Sequence, residues 1–336
     1  MKRYLSFFNL LFMTFLLGLF ICQAEAKSIS LNYANFPPAP TFPSVQMEHW
    51  KQEVEKMTRG GVEIKTFPGG TLLGATDMMD GVISGQADIG CLCMAYQPGR
   101  FTVTNAVSLP LNIPDSKTGS LVLTDLFNRF KPVEFDKVKV LALFTTAPAS
   151  IMSRKRVANI SDLKGMDLRA SGGAAEILKA WGANQIGMPM SATPEALQKG
   201  VVQGLFSSLE VMKDLKFAEE CPYVTLTNTV VYPFAVVMNL DRWNGLPEDV
   251  KAVMESLSRS QALWTGNYMD NHVKETVEWS KKSHKVEFIE LDPKALDAWN
   301  QPLSPIVDDW IKSASANGFD GKAIVDSIKL LVDEHK

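Results

Sequence analysis

The sequence lacks an excess of basic residues. Its 336 residues include 34 lysines and arginines against 37 aspartates and glutamates, giving a formal net charge of −3 and an isoelectric point near 5.9. A nucleic-acid-binding protein needs a basic field that attracts phosphates. We therefore expect no nucleic-acid partner.

Histidine is scarce, and the residue patterns of common catalytic sites are missing. The 4 histidines form no His-x-x-x-His or His-Glu pair of the metalloprotease type. A nucleophile elbow or a Ser-His-Asp set, which a hydrolase would need, is not recognisable either. We therefore expect no enzymatic activity, no cofactor and no metal site.

Cysteine is also rare, with 4 in the chain. Cys91, Cys93 and Cys221 follow the N-terminal segment, and an odd number cannot form a complete set of internal disulfides. Cys91 and Cys93 are too close in sequence for a zinc or thioredoxin-type motif. We expect all three to be buried free thiols.

The one long apolar run lies at the N terminus. The basic segment Met1–Tyr4 precedes the mainly apolar Leu5–Ile21, and Cys22–Ala26 ends in Ala-Glu-Ala. This pattern predicts a signal peptide over residues 1–26, cleaved after Ala26, and export to the periplasm. The alternatives are a membrane anchor, which the cleavage signal disfavours, and a lipoprotein, which the isoleucine before Cys22 disfavours.

The chain after the predicted cleavage site is long enough for two lobes, because about 310 residues exceed what one hydrophobic core usually organises. The first part predicts strands over 28–34, 62–67 and 87–91, with helices up to Met57 and over 75–84. The rhythm restarts with strands over 138–145 and 166–170, helices over 173–182 and 193–199, and the segment 201–206. This alternation predicts an α/β fold with two units and parallel-rich sheets.

Two units of this kind place particular residues beside a cleft. In open parallel sheets a ligand lies beyond the carboxyl ends of the strands. Phe36, residues 91–94, Arg169 and Ser207 all lie at or just after such ends. We expect these residues to face the cleft.

One long helical pattern runs from Leu246 to His284, and within its body Gly266 is the only glycine or proline. At 1.5 Å per residue this helix would be roughly 50 to 55 Å long. Since that exceeds the size of one lobe, we expect the helix to bridge both. We assign lobe I to residues 27–146 and 237–277, and lobe II to residues 147–236 and 278–336.

Five motifs follow one another along the chain: Thr66–Gly74 (TFPGGTLLG), Gly85–Ile89 (GQADI), Ser161–Arg169 (SDLKGMDLR), Ala196–Gly204 (ALQKGVVQG) and Met238–Pro247 (MNLDRWNGLP). In this order and spacing they resemble the solute receptors of TRAP (tripartite ATP-independent periplasmic) transporters, the DctP-like family. The resemblance covers almost the whole chain after residue 26.

This resemblance implies a periplasmic-binding-protein-like receptor whose two lobes close by hinge bending on a small organic carboxylate. It also implies delivery of that cargo to the small and large membrane subunits of a TRAP permease, and we expect the receptor to be a monomer. The alternatives with the same fold are receptors that serve a sensor kinase or an ATP-driven permease.

Arg169 ends the third motif, and the resemblance implies that it binds the ligand's carboxylate. A guanidinium suits this role because it is planar, permanently charged and able to donate two parallel hydrogen bonds. The alternative is a salt bridge to Asp162 or Asp167 that stabilises the lobe.

The resemblance implies further ligand contacts. Cys91, Leu92 and Cys93 match the loop after the third strand, Met190 matches a wall position, and Ser207 stands where many relatives carry a ligand-binding asparagine. For the two cysteines, packing in the core is an equal alternative.

Three more residues are candidates for the site. Phe36 and Tyr232 are possible aromatic walls, with a core role as the alternative. Glu210 is a candidate for binding the ammonium group of an amino acid. We favour the other interpretation of Glu210, an exposed carboxylate at the start of a helix.

Departures from the family pattern point to the cargo. Relatives that bind sialic acid and some dicarboxylates carry another arginine where this chain has Ala149. The small or apolar groups at the other matched positions would leave sugar hydroxyls unpaired, at a cost of about 1 to 3 kcal/mol each. We expect a monocarboxylate with an apolar or aromatic body, such as an aryl or branched 2-oxo acid; an amino acid, a C4-dicarboxylate or a sugar acid is the alternative.

Overall fold

The structure is a computed structural model that describes residues 28–336. The predicted signal peptide, with Cys22, lies outside these residues. Within residues 28–336, no helix is both long and apolar enough to span a bilayer. Cys91, Cys93 and Cys221 are buried free thiols, which confirms the expectation for this part of the chain.

The first sheet has five strands in the order β2-β1-β3-β10-β4. They are β1 (Ile29–Asn35), β2 (Val62–Phe67), β3 (Ile89–Cys93), β4 (Val138–Thr145) and β10 (Pro233–Asn239). β1 is parallel to β2 and β3, as the alternating pattern predicts, whereas β10 is antiparallel to β3 and β4. A strand from a distant part of the chain therefore completes this sheet and makes it mixed.

Four helices of the first half belong to this lobe: α1 (Phe42–Met57), α2 (Met78–Ile83), α3 (Thr102–Asn105) and α4 (Ser116–Phe130). α1 has a proline in its first turn and buries Met47, Trp50 and Val54, which are spaced to share one face. The Asp115 carboxylate caps α4 by accepting a hydrogen bond from the backbone N–H of Thr118.

The second sheet has six strands in the order β11-β9-β5-β8-β6-β7. They are β5 (Ser150–Ser153), β6 (Asp167–Arg169), β7 (Asn184–Ile186), β8 (Gly204–Ser207), β9 (Tyr223–Leu226) and β11 (Glu287–Glu290), accompanied by α5 (Ala174–Ala180), α6 (Thr193–Gln198) and α7 (Val211–Asp214). β6 is parallel to β7 and β8. Arg169 and Ser207 consequently end two neighbouring parallel strands.

Two extended segments connect the sheets side by side. The backbone N–H groups of Thr146 and Ala149 donate to the carbonyls of Tyr232 and Val230, at 3.0 and 2.7 Å. The N–H of Thr229 donates back to the carbonyl of Ala149 at 3.2 Å. Extended connections of this kind can act as hinges between lobes.

The long helix is α9 (Glu248–His284), with 37 residues, and it bridges the lobes as predicted. The Asp270 carboxylate accepts from the backbone N–H groups of Ser116 and Lys117 in lobe I, at 2.8 and 3.0 Å. Two residues later, the His272 ring contacts Asp214 of α7 in lobe II. A short helix, α8 (Leu240–Asn244), connects β10 to the start of α9.

Three helices end the chain: α10 (Pro293–Asn300), α11 (Ser304–Ala316) and α12 (Gly321–His335). Next to α10 in lobe II, the Trp181 indole N–H donates to the carbonyl of Trp299 at 2.8 Å. α12 instead packs on α4, where the His335 ring lies 2.7 Å from an Asp125 carboxylate oxygen. The predicted lobe boundaries stay a proposal, and these contacts favour moving residues 321–336 to lobe I.

Candidate functional site

A cavity of about 320 Å³ lies between the lobes, beyond the ends of β3, β6 and β8. Lobe I contributes the loop of Phe36 to Pro43 together with Cys93, Tyr96 and Phe234 to its walls. Lobe II contributes Arg169, Ser207 and two short groups of residues, which are Met190, Ser191 and Pro194, and Glu210, Val211, Asp214 and Leu215. Two larger crevices, of about 610 and 1080 Å³, also lie among the described residues, but Arg169 lines neither.

Arg169 is buried in the wall of this cavity, with 1% of its surface exposed. Its Nε and one Nη donate to the carbonyl of Met188 at 3.0 and 2.9 Å. The same Nη donates to the Ser171 hydroxyl at 3.1 Å and to the Tyr96 hydroxyl at 3.2 Å. The other Nη donates to no described residue, so the guanidinium is held rigidly while part of its donor capacity is free.

No described carboxylate forms an ion pair with Arg169. Asp162 accepts from the backbone N–H groups of Ala158 and Asn159, both at 2.9 Å, and Asp167 accepts from the Asn184 amide at 3.0 Å. The alternative of a salt bridge to Asp162 or Asp167 is therefore wrong. A buried cation surrounded only by neutral partners strongly favours an added anion.

Tyr96 joins the two lobes at the guanidinium. It lies in the turn after β3 of lobe I, and its hydroxyl accepts from Arg169 and, at 3.1 Å, from the backbone N–H of Met190 in lobe II. Burial raises the pKa of Tyr96 to about 12, so the phenol is neutral. Its own proton has no acceptor among the described residues and is available to a ligand.

One wall of the cavity is aromatic. Phe36 stacks on Phe234 with ring centroids 6.3 Å apart, and Phe42 packs edge-on against Phe234 at 5.5 Å. Burial raises the pKa of the Cys93 thiol to about 12, which keeps that group neutral and apolar in character. Tyr232 presents its ring, because its hydroxyl donates to the carbonyl of Phe206 at 2.7 Å.

In contrast to the aromatic wall, the part of the cavity at α7 is acidic, because two acidic residues line it. Glu210 is 3% exposed, and burial raises its pKa to about 7. The expectation of an exposed carboxylate is therefore wrong, because α7 lies against the cavity and under α9. Asp214 lies 2.7 Å from the His272 ring nitrogen, and this hydrogen bond raises the pKa of His272.

Residues 36–313 match the model of the bacterial extracellular solute-binding protein family 7, DctP. The chain belongs to this family. Its members are the solute receptors of TRAP transporters, which bind small organic acids, work with membrane permease subunits and are not enzymes. The resemblance predicted from the five motifs is thus confirmed.

Solved structures of TRAP receptors share the two-lobed fold. A receptor from Desulfovibrio salexigens is 52% identical, with a TM-score of 0.83 over 92% of this chain and 97% of its own, and was solved as an open complex with the C terminus of a symmetry mate in its ligand-binding site. A marine metagenome receptor specific for aromatic acids, complexed with metahydroxyphenylacetate, is 27% identical, with a TM-score of 0.87 over 92% of this chain and 100% of its own.

A curated relative is named for a sugar acid. The 2,3-diketo-L-gulonate-binding periplasmic protein YiaO of Escherichia coli is 27% identical over 252 residues, which are 72% of this chain and 75% of that protein. The family therefore includes receptors for polar and for aromatic acids, and the cargo has to be argued from the cavity of this receptor.

The cavity brings together most of the site residues expected from the sequence: Phe36, Cys93, Arg169, Met190, Ser207, Glu210 and Tyr232. Cys91 and Leu92 do not line it. Side chains alternate along β3, so Leu92 points to the other face, and Cys91 lies one pleat deeper among core residues than Cys93. Ala149 lies buried in the hinge segment, and Arg154 pairs with Glu220 away from the cavity.

Sequence reasoning missed four residues that the structure places in the cavity, namely Phe42, Tyr96, Asp214 and Phe234. Tyr96 lies in the turn directly after Cys93, the last residue of β3, so the rule about strand ends could have found it. Asp214 carries no local signal, because its place in the cavity depends on the packing of α7 under α9.

Proposed function

We propose that the cavity binds a small monocarboxylate with an apolar or aromatic body, such as an aryl or branched 2-oxo acid, for delivery to a TRAP permease. The observation that carries this proposal is the buried Arg169, which has no ion-pair partner among the described carboxylates. The cargo's carboxylate supplies the missing negative charge.

The carboxylate end of the cargo binds between Arg169 and Tyr96. The free Nη of Arg169 and the Tyr96 hydroxyl proton are two donors on adjacent groups, and a carboxylate has lone pairs for both. Because Met188 and Ser171 already hold the guanidinium, little side-chain entropy is lost when the ligand binds.

The body of the cargo packs against the rings of Phe36, Phe42 and Phe234. A cavity of about 320 Å³ accommodates a molecule with one ring or a short branched chain. The marine relative specific for aromatic acids, and the relative from Desulfovibrio salexigens that holds a polypeptide C terminus, support an anionic group beside an apolar body.

A C4-dicarboxylate fits the charges of the cavity less well. Ala149 stands where the second arginine of some dicarboxylate receptors is expected, and Glu210 and Asp214 line the same cavity as Arg169. A second carboxylate would meet two acidic groups without an added cation, which is repulsive at low dielectric. A sugar acid remains the second candidate because of the 27% identical relative from Escherichia coli.

Binding at this site couples to closure of the lobes. Tyr96 belongs to lobe I and Arg169 to lobe II, so a ligand that contacts both stabilises the closed arrangement. The hinge at residues 146–149 and 229–232 permits the movement. We propose that the closed receptor acts as a monomer and docks onto the small and large permease subunits; adjacent genes for two membrane proteins, and none for an ATPase, would support this.

The test is a thermal-shift screen of the purified mature protein against aryl, branched 2-oxo, amino, C4-dicarboxylic and sugar acids. A ligand that binds only the native state raises the melting temperature with its concentration. Arg169→Ala should abolish the shift for the best acid, whereas Arg156→Ala, which removes an exposed arginine paired with Glu287, should preserve it. A shift that survives Arg169→Ala would falsify the proposed carboxylate site, and stabilisation by sugar acids alone would exclude the apolar cargo.

A further inference from the structure

Two buried acceptor atoms in the cavity have no partner among the described residues. They are Oε2 of Glu210 and Oδ2 of Asp214. The Glu210 residue is 3% exposed and the Asp214 side chain 5% exposed, and both line the same cavity as Arg169. A buried acceptor left unpaired loses its hydrogen bonds to water without replacement, so such atoms normally mark a missing donor.

The two acidic residues flank a single helical turn, since Glu210 directly precedes α7 and Asp214 is its last residue. They are four positions apart, the spacing at which helical side chains are neighbours, and backbone hydrogen bonds from Lys213 and Asp214 to the carbonyl of Glu210 hold that turn closed. Both residues therefore line the cavity from one short segment, and we expect one cargo to meet both.

Asp214 is oriented by the long helix. Its Oδ1 lies 2.7 Å from Nε2 of His272, whose ring is stacked on Tyr268 at 5.6 Å. Because His272 occupies Oδ1, Oδ2 is the oxygen of Asp214 that has no partner among the described residues. His272 thus has a positioning role, because its hydrogen bond fixes the Asp214 carboxylate. The unpaired oxygen of that carboxylate is left for a hydrogen-bond donor of the cargo.

We infer that Glu210 and Asp214 form a second polar subsite, which binds a hydrogen-bond donor of the cargo while Arg169 binds its carboxylate. This inference rests on the proposed function and narrows it: the cargo is a carboxylic acid that also carries a hydroxyl, an amide N–H or an ammonium group. A purely apolar acid would fill the cavity and leave both acceptors unpaired.

The charges allow either kind of donor. With Glu210 protonated, its carbonyl oxygen still accepts from a neutral hydroxyl or amide; with Glu210 ionised, it pairs with an ammonium group. The groups that act on Glu210 are the Ser208 hydroxyl, Asp214 at the end of α7 and His272 of α9, while Arg169 lines the same cavity. The binding preference between hydroxyl and ammonium analogues identifies the donor.

The test uses matched sets of acids on aryl and branched aliphatic skeletons, each as the parent acid, its hydroxyl analogue, its ammonium analogue and its methyl ether. Affinity is measured by calorimetry on the mature protein. Wild type should bind at least one donor-bearing acid about tenfold more tightly than its parent and its methyl ether, the gain expected from one satisfied buried acceptor.

Variants separate the subsite from the carboxylate anchor. Glu210→Gln and Asp214→Asn should remove a preference for an ammonium group, because both variants lose the negative charge. Glu210→Met, which has no carbonyl acceptor, should also remove most of a preference for a hydroxyl or amide. All three variants should leave the affinity for the parent acid within about twofold. Glu219→Gln, an exposed glutamate beyond α7, is the matched control and should behave as wild type. If the parent acids bind through Arg169 but no donor-bearing analogue binds more tightly, the subsite is refuted while the proposed function stands. If no acid in the sets binds, both fail.

Discussion

The guanidinium of Arg169 in lobe II donates a 3.2 Å hydrogen bond to the hydroxyl of Tyr96 in lobe I. The same hydroxyl accepts from the backbone N–H of Met190, so one phenol oxygen holds two parts of the opposite lobe. The group that is proposed to contact the cargo is thus also a contact of the closed arrangement. The proposed ligand contacts and the contact between the lobes therefore share these atoms.

Removal of that oxygen tests the shared role. Tyr96→Phe deletes one donor to the cargo and the acceptor for both lobe II groups, so the Kd should rise about tenfold. Calorimetry with the best acid from the screen measures this. Tyr223→Phe, which alters a half-buried tyrosine on β9, should leave the Kd unchanged. An unchanged Kd in Tyr96→Phe would show that the phenol does not contribute to binding.

Gly172 tests the contact between the lobes directly. Its φ is +56°, and an added Cβ would lie 2.8 Å from the Cβ of Ala95 in lobe I. Gly172→Ala should therefore prop the lobes apart, weaken ligand binding about tenfold or more and reduce the ligand-induced compaction seen by small-angle scattering.

Gly182→Ala is the control for Gly172→Ala. Gly182 also has a positive φ, of +83°, but an added Cβ there would have no neighbour within 4 Å. It introduces the same kind of backbone strain without a clash between lobes. It should lower the melting temperature but preserve affinity. Equal loss of affinity in the two variants would attribute the effect to strain alone.

Glu210 makes stability depend on pH. Burial raises its folded-state pKa from 4.5 to about 7, so the folded state retains a proton that the unfolded state has lost. Stability contributed by this group is therefore full below pH 4.5, declines as pH rises to about 7 and is then constant.

Glu210→Gln removes this dependence. Its free energy of unfolding relative to wild type should increase by up to about 3 kcal/mol between pH 4 and pH 8. Denaturant titrations at both values measure the change, and Glu219→Gln should parallel wild type. A constant difference between Glu210→Gln and wild type across this range would contradict the buried, protonated carboxyl.

Gly266 tests the packing of the long helix. An added Cβ would lie 2.4 Å from the Cα of Lys117, where α9 crosses the start of α4. Gly266→Ala should lower the free energy of unfolding by about 3 kcal/mol, although alanine favours a helix more than glycine does. The adjacent exposed Asn267→Ala should be neutral or stabilising. Chemical denaturation measures both, and a stabilised Gly266→Ala would disprove the close crossing.

Local patterns were sufficient for much of the fold. Alternating strand and helix signals located β1, β2, β4 and α9 within a few residues, because burial of one face imposes a period on the sequence. β10 could not be assigned to the first sheet, since its partners β3 and β4 lie far away along the chain. Its residues 233–239 are all buried and so show no alternation.

The sequence by itself determined the family and the two α/β lobes, and it predicted Arg169 as the cation that binds the cargo's carboxylate, because these depend on motifs whose residues are close together in the chain. Only the tertiary structure decided that Tyr96 reaches the same guanidinium, that Glu210 is buried and that His272 orients Asp214. The physical reason is that these groups become buried and paired only where separate elements pack. A helix as short as α7 also has too few residues to show a period, so its sequence cannot predict which face is buried.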